Sequence, residues 1–289
     1  MTDPKTTDCI QRFLLEDLDI HGAHVHLSAV WQKLLRNRNY PANVTALMGE
    51  LTAITTLISA NLKQEGRLTF QLKGDGQIPL VVLDCTEALN VRAYASLDEA
   101  VAPDATLHAM LGDGQLLMTL DMAGAQQPFQ SFVPIEGDSV AEIFRNYLEL
   151  SEQQAACLVL AADDKVASGI FLQKLPGADQ RDADGWSRIL QLANTLQADE
   201  LKGTDAVTVL TRLFHEETVR VFEARPVTHD FPANREKIET MLRSLGRGEI
   251  ERILAEHGEV SVHDDLSNHT YVFSADEAIA LFTNPPTLH

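Results

Sequence analysis

Cysteine is scarce in this chain. Cys9, Cys85 and Cys157 are the only three in 289 residues, and no two stand close enough to make a Cys-x-Cys or Cys-x-x-Cys pair. Neither a disulfide framework nor a thiolate metal site is written here, and buried free thiols in a reducing compartment are the simplest account. Aromatic residues are few, at 6%, so aliphatic side chains must build most of the core. Basic residues number 23 against 42 acidic ones, a formal charge of −19. A surface of that sign repels nucleic acid and anionic lipid at long range. No apolar run reaches membrane-spanning length, and the polar start MTDPKTTDCI lacks the basic-then-apolar pattern of a secretion signal. Neither nucleic acid nor membrane is expected as a partner, and the expected location is cytoplasmic.

Catalytic signatures are missing as well. There is no Gly-x-Ser-x-Gly elbow and no His-Glu-x-x-His helix. The Gly-Asp-Gly-Gln segments at 74–77 and 112–115 lack the lysine and spacing of a phosphate loop. The abundant carboxylates show no spacing that singles out an acid–base pair. No catalytic residue, no cofactor and no enzymatic activity are expected.

What is present suits a globular protein: 45% of residues are hydrophobic, enough to bury a core. Residues 10–15 and 23–27 read as short strands, and 28–37 as a helix carrying Trp31, Leu34 and Leu35. Tyr40-Pro41 ends it, because the residue before proline is pushed out of the helical region. From 42 to 63, apolar residues recur at three- and four-residue spacing (Val44, Leu47, Met48, Leu51, Ile54, Leu57, Ile58), which predicts a long, mostly buried helix. Residues 68–84 are echoed by 107–121, each with Gly-Asp-Gly-Gln between apolar stretches. Asp-Gly suits a tight turn, so two hairpins are expected. Further strands are predicted at 91–94, 129–134, 156–161 and 169–173. Ser139 and Glu142 form a capping box that opens a helix to about 152. The fold class is α+β.

Residues 176–179, Pro-Gly-Ala-Asp, break the composition. Beyond them Trp186, Ile189, Leu190 and Ala193 trace one amphipathic helix, and Val207, Leu210, Leu213 and Phe214 a second apolar stripe. Residues 219–222 could form a strand. In the tail, helices through Ile238, Met241 and Leu242, and through Ile250, Ile253 and Leu254, end at Gly246 and Gly258. A hairpin of 260–262 with 271–273 follows, then a helix opened by the capping box of Ser274 and Glu277. His229, His257, His263 and His269 lie in the tail beside Asp230, Asp264 and Asp265. Nitrogen and oxygen donors can bind zinc, but solvated loop histidines are the plainer reading. No metal site is assigned, and a substitute site from His229, His263, His269 and nearby aspartates stays open.

Many of these segments occur together, in order, in one family. They include Arg12-Phe13-Leu14-Leu15-Glu16, Leu47-Met48-Gly49-Glu50-Leu51, Gly66-Arg67-Leu68-Thr69, Gln71-Leu72-Lys73-Gly74-Asp75-Gly76 and Val133-Pro134-Ile135-Glu136-Gly137-Asp138. Gly169 to Pro176, Asp184-Gly185-Trp186, Arg212 to Glu217 and Arg225-Pro226-Val227 continue the series. In these the chain resembles the heat-shock protein 33 family of redox-regulated holdase chaperones. The resemblance implies an N-terminal core domain (residues 1–177), a helical linker (178–225) and a small C-terminal redox-switch domain (226–289). It implies that unfolding client proteins are the partners, bound without ATP, and that active molecules can form a homodimer. Family members hold zinc through a Cys-x-Cys and a Cys-x-x-Cys pair, and oxidation releases the metal and exposes apolar surface.

This chain departs from the family at the switch. The first pair should fall at Phe231 and Ala233, the second near Asp264 and Ser267, and none is cysteine. The family's disulfide-driven activation therefore cannot operate. A folded, metal-free tail is expected, with Phe231 helping its packing. The expected function is an ATP-independent holdase triggered by heat or other unfolding stress, or constitutively active. An adaptor that binds one specific partner on the same fold is the alternative. The expected client-binding residues are Trp186, Ile189, Leu190, Leu196, Leu210, Leu213 and Phe214.

Overall fold

The computed structural model describes residues 8–62, 64–97 and 101–282. Lys63, the expected end of the long helix, and most of the polar N-terminal stretch lie outside them. In chain order the elements are β1 (Cys9–Leu15), β2 (Ile20–Leu27), α1 (Ala29–Leu35), α2 (Ala42–Ser59), β3 (Gly66–Lys73), β4 (Leu80–Thr86) and β5 (Val91–Ser96). Then come α3 (Leu107–Leu111), β6 (Gln115–Met122), β7 (Phe129–Val133), α4 (Val140–Glu152), β8 (Ala156–Ala162) and β9 (Ala167–Lys174). Next are α5 (Ala178–Arg181), α6 (Gly185–Ala193), α7 (Ala198–Gly203), α8 (Ala206–Leu213), β10 (Val219–Val221) and β11 (Arg225–Pro226). The last are α9 (Arg235–Leu245), α10 (Arg247–His257), β12 (Glu259–Asp264), β13 (His269–Ser274) and α11 (Ala275–Ala280). Helices and strands alternate only in part and every strand ladder is antiparallel, as an α+β fold requires.

Contacts divide the chain into two compact units, one ending at His229 and the other starting at Asp230. The first unit is layered. One sheet has the order β5-β4-β3-β6-β7, and the other the order β10-β1-β2-β9-β8, with β11 also on β1. Helix α2 lies between them, touching β2, β8 and β9 on one side and β3, β4 and β5 on the other. A helix covered on both sides cannot keep a polar face, which is why its apolar residues run almost all round. The threonines that interrupt them are buried too. Thr52, Thr55 and Thr56 donate their hydroxyls to the carbonyls of Met48, Leu51 and Thr52 at 2.6, 2.7 and 2.8 Å, so these three hydroxyls are satisfied within the helix itself. Gly49 lets the helix touch the second sheet, since a Cβ there would stand 2.3 Å from Ala162 Cβ.

The two Gly-Asp-Gly-Gln copies fold differently. The first is the turn of the β3–β4 hairpin. In the second, the stretch expected as a strand is the short helix α3. Thr106 caps it by accepting from Ala109 N, and Gly112 ends it with φ of +64°. The reason is tertiary. The two glycine loops interlock, so that a Cβ on Gly76 would meet Gly112 N and Met110 O at 2.5 Å, and Asp75 Oδ1 accepts from Asp113 N at 3.0 Å. Main-chain bonds from Gln77 and Ile78 to the carbonyls of Ala109 and Met110 complete the clasp. Strand β6 then pairs with β3 and β7, not with a partner in its own repeat.

In the second sheet, alternation decides which side chains face where. Ile10, Ala23, Val25 and Leu27 join the core around α2. Phe13, Leu15, Ile20, Ile170 and Leu172 point to the opposite face. That face carries the fourth layer, built from residues 185–214.

The second unit is small. Helices α9 and α10, the β12–β13 hairpin and α11 enclose a core of Ile238, Leu242, Ile250, Val260, Tyr271, Phe273, Ala278 and Leu281. The capping box is present in full, with Ser274 and Glu277 each bonding the other's main chain. Phe231, expected to pack there, is only partly buried and lies outside that core.

Candidate functional site

The outer layer of the first unit begins at α6. Its buried residues Ile189 and Ala193 fall one turn apart, so the helix presents a single apolar edge to the sheet. Leu196 follows, then Leu201 of α7, then Val209, Leu210 and Leu213 of α8, and Phe214 just beyond. All belong to one cluster with Phe13, Leu15, Leu18, Ile20, Ile170 and Leu172. Phe214 stacks at a tilt on Phe13, with ring centroids 6.3 Å apart. The seven residues singled out in the sequence therefore come together on one surface, five of them buried and Trp186 and Leu190 partly so.

Sequence reasoning missed the other half of this seam. Leu201 sits alone in a polar helix, Ala-Asp-Glu-Leu-Lys-Gly, and its burial has no periodic signal. Val209 is the inward residue of α8, while Val207 is 52% exposed. The spacing of Val209 to Leu213 would have found it. The sheet side was not readable, because which strand face meets α2 depends on pairing that local sequence does not record.

Polar contacts fasten the layer at its margins. Lys202 Nζ meets Asp163 Oδ2, in the β8–β9 turn, at 2.8 Å. Burial works against the Asp163 carboxylate, but the bond from Lys202 and main-chain bonds from Lys165 and Val166 outweigh it and hold its pKa below the usual value. Arg188 reaches Glu217 and Asp182 at 2.8 and 2.9 Å, and Arg212 reaches Glu200 at 2.6 Å. Beyond Phe214 the chain returns to the sheet as β10, paired with β1 through Phe13 and Val221. At the other margin the seating is incomplete. A cavity of about 500 Å³ separates Trp186 and Leu190 from Arg145 and Glu149 of α4 and from Cys157 of β8.

Burial disfavours thiolate chemistry at all three cysteines. Cys85 and Cys157 are buried, which pushes their pKa up to about 12 and about 11. Burial, then the charge of Asp8, raises Cys9 as well. Only a thiolate reacts readily, and all three are held protonated.

The second unit contains the positions where the resemblance implies zinc. They do not fit it. Phe231, Ala233 and Ser267 offer no thiolate or imidazole, and Asp264 Oδ1 accepts from Leu266 N at 3.2 Å. The segment is tied by ordinary hydrogen bonds instead: His269 Nε2 donates to the Phe231 carbonyl at 2.6 Å, and Asn234 N to Tyr271 Oη at 2.8 Å. The other two histidines of the open metal-site reading, His263 and His229, have partners of their own. His263 Nδ1 lies 2.9 Å from Thr270 Oγ1, and His229, buried in the first unit, donates to the Val91 carbonyl at 2.8 Å. Among the described residues, no three His, Cys, Asp or Glu side chains gather in a way that could hold a metal ion.

Comparison with known proteins decides the lineage. The model of the Hsp33 protein family matches residues 8–274. This chain belongs to the Hsp33 family. The 33 kDa chaperonin of Chromobacterium violaceum is 40% identical over 277 residues, covering 95% of this chain and 94% of that protein. The 33 kDa chaperonin of Neisseria meningitidis serogroup A is 38% identical over 277 residues, covering 95% and 91%. The fold also matches the crystal structure of the 33 kDa chaperonin of Thermotoga maritima, with TM-score 0.81, 24% identity, and 96% and 98% of the two chains covered. Members of the Hsp33 family are chaperones and not enzymes. No helix among the described residues is long and apolar enough to cross a membrane.

Proposed function

We propose that this protein is an ATP-independent holdase chaperone of the cytoplasm, released by unfolding stress and not by thiol oxidation. Residues 178–225 act as a detachable linker, and lifting them off the sheet uncovers the client-binding surface. The observation that carries this reading is the seam itself. A continuous apolar face on each side, from Ile189 to Phe214 on the helices and from Phe13 to Leu172 on the sheet, is hidden only by a layer of short helices. Helices of four to nine residues have little stability of their own and hold their shape by docking. Once lifted, they offer flexible aliphatic surface to an unfolding client. The net charge of −19 keeps such an opened molecule soluble.

Independence from oxidation is supported by burial of the thiols, which disfavours the thiolate, and by the absence of cysteine at the positions where the resemblance implies zinc. The test is aggregation of a heat-labile client at 43–45 °C with a several-fold excess of the protein. Light scattering is expected to fall after mild heating alone, with no added effect of peroxide or hypochlorite. Unchanged aggregation at every temperature would refute the holdase reading. Strict dependence on peroxide would refute the proposed trigger.

A further inference from the structure

Two histidines stand where the sheet meets α8. His24 and His26 alternate with Ala23, Val25 and Leu27 along β2, so both project to the linker side. They are 2% and 9% exposed, and His24 Nε2 and His26 Nδ1 have no hydrogen-bond partner. A buried polar nitrogen left unpaired is rare in a folded protein and calls for an explanation. The rings border a cavity of about 510 Å³ whose other walls are the start of β1, the first turn of α8 and the chain around Ala224 and Pro226.

Among the described residues, the ionisable groups that face them are few. On the β1 side stand Asp8 and Cys9, the latter directly across from His26. Helix α8 contributes Asp205. Strand β9 places Ile170 and Ser168 opposite them, and neither titrates. Ala224 and Pro226 carry no charge, and Arg225 between them bonds the carbonyls of Ala60 and Glu87. Both carboxylates already serve as caps. Asp205 accepts from Thr208 N at 3.0 Å and from Thr208 Oγ1 at 2.8 Å. Asp8 Oδ1 accepts from Ser28 N at 2.5 Å and from Val30 N at 3.1 Å. The positive end of α8 also disfavours a second cation beside it.

We propose that His24 and His26 make the β2–α8 seam an acid-sensitive latch, neutral and closed in neutral medium and released when the medium acidifies. The proposal rests on the holdase reading only for what release achieves. Burial, reinforced by His26 and opposed by Asp205, holds His24 down at about 3. Burial also lowers His26, against the pull of Asp8 and Asp205. In the lifted state both rings would regain the ordinary value near 6.5. Well above that value neither state binds the protons, and the latch is indifferent to pH. Below it the lifted state binds more protons. The open fraction therefore rises by up to about tenfold per pH unit for each histidine, and His24 stops contributing near about 3.

The test is hydrogen–deuterium exchange of residues 206–213 in the full-length protein at pH 7.5, 6.5 and 5.5, corrected for intrinsic exchange. The opening constant is expected to rise only about two- to threefold from 7.5 to 6.5 and more than tenfold in all by 5.5. Client protection at 25 °C is expected to rise with it. The double variant His24→Gln with His26→Gln should lose the acid response and keep activation by heat. A flat profile in the wild-type protein overturns the latch whether or not the variant folds, and so does a folded variant that opens with acid as steeply as the wild type. Failure of heat to activate either protein would strike the holdase reading instead, leaving the exchange profile to judge the latch.

Discussion

Phe214 shows how one side chain can set the resting state. It is 1% exposed and lies across the sheet face against Phe13. Phe13 can lie flat because its strand partner is Gly22, where a Cβ would come within 2.3 Å of the ring. Truncating a buried phenylalanine removes apolar burial and leaves a cavity, at a cost of about 3–5 kcal/mol. Here most of that cost should fall on docking of the linker. Phe214→Ala is therefore expected to lower the temperature at which client protection begins, with the urea midpoint of the second unit unchanged. Local spacing made Phe214 visible in the sequence as part of an apolar stripe. Gly22 was not visible, because a glycine inside a strand acquires meaning only when its cross-strand neighbour is known. The unpaired nitrogens of His24 and His26 were equally hidden, since the sequence shows their alternation but not the helix that buries them.

At the scale of elements, legibility followed the source of stability. Helix α2 could be read because its periodicity is intrinsic, and the β3–β4 hairpin because a glycine-rich polar stretch separates two apolar strands that pair with each other. The second copy of the repeat was misread as a hairpin. A threonine cap and the clasp between the glycine loops converted 107–111 to a helix, and the clasp joins residues far apart in the chain, such as Asp75 with Asp113 and Ile78 with Met110. Helix α7 is lightly anchored by the same logic. Leu201 is its only buried residue, and the Lys202–Asp163 pair is its tie to the β8–β9 turn. Lys202 and Asp163 are both still in part open to solvent, so the direct worth of the pair is modest, about 0–1 kcal/mol. Lys202→Ala is accordingly expected to raise exchange of residues 198–203 a few-fold with little change in global melting, as read by exchange mass spectrometry and calorimetry. A large drop in melting temperature would show that the pair supports the whole first unit.

For the whole molecule, the proposed client surface and the implied metal site stand apart: one is present, the other is not written in the sequence. The apolar cluster between residues 185–214 and the sheet is present, whereas the positions where the resemblance implies zinc-binding cysteines hold Phe231, Ala233, Asp264 and Ser267. The absence of cysteine there could be read directly, because it needs no structure. What holds the tail together could not: its core comes from eight buried residues spread over α9–α11 and the hairpin, with a hydrogen bond from His269 where a metal bond is implied for the family. The central claim is that the layer of α6–α8 opens before the sheet beneath it. Exchange measured during mild heating, with a client present, tests this directly. Residues 185–214 should exchange faster than β2 and β9 at the temperature where aggregation is first suppressed, and should regain protection when client is bound. If they exchange in step with β2 and β9 while suppression is already complete, the linker is not the moving part and the account is wrong.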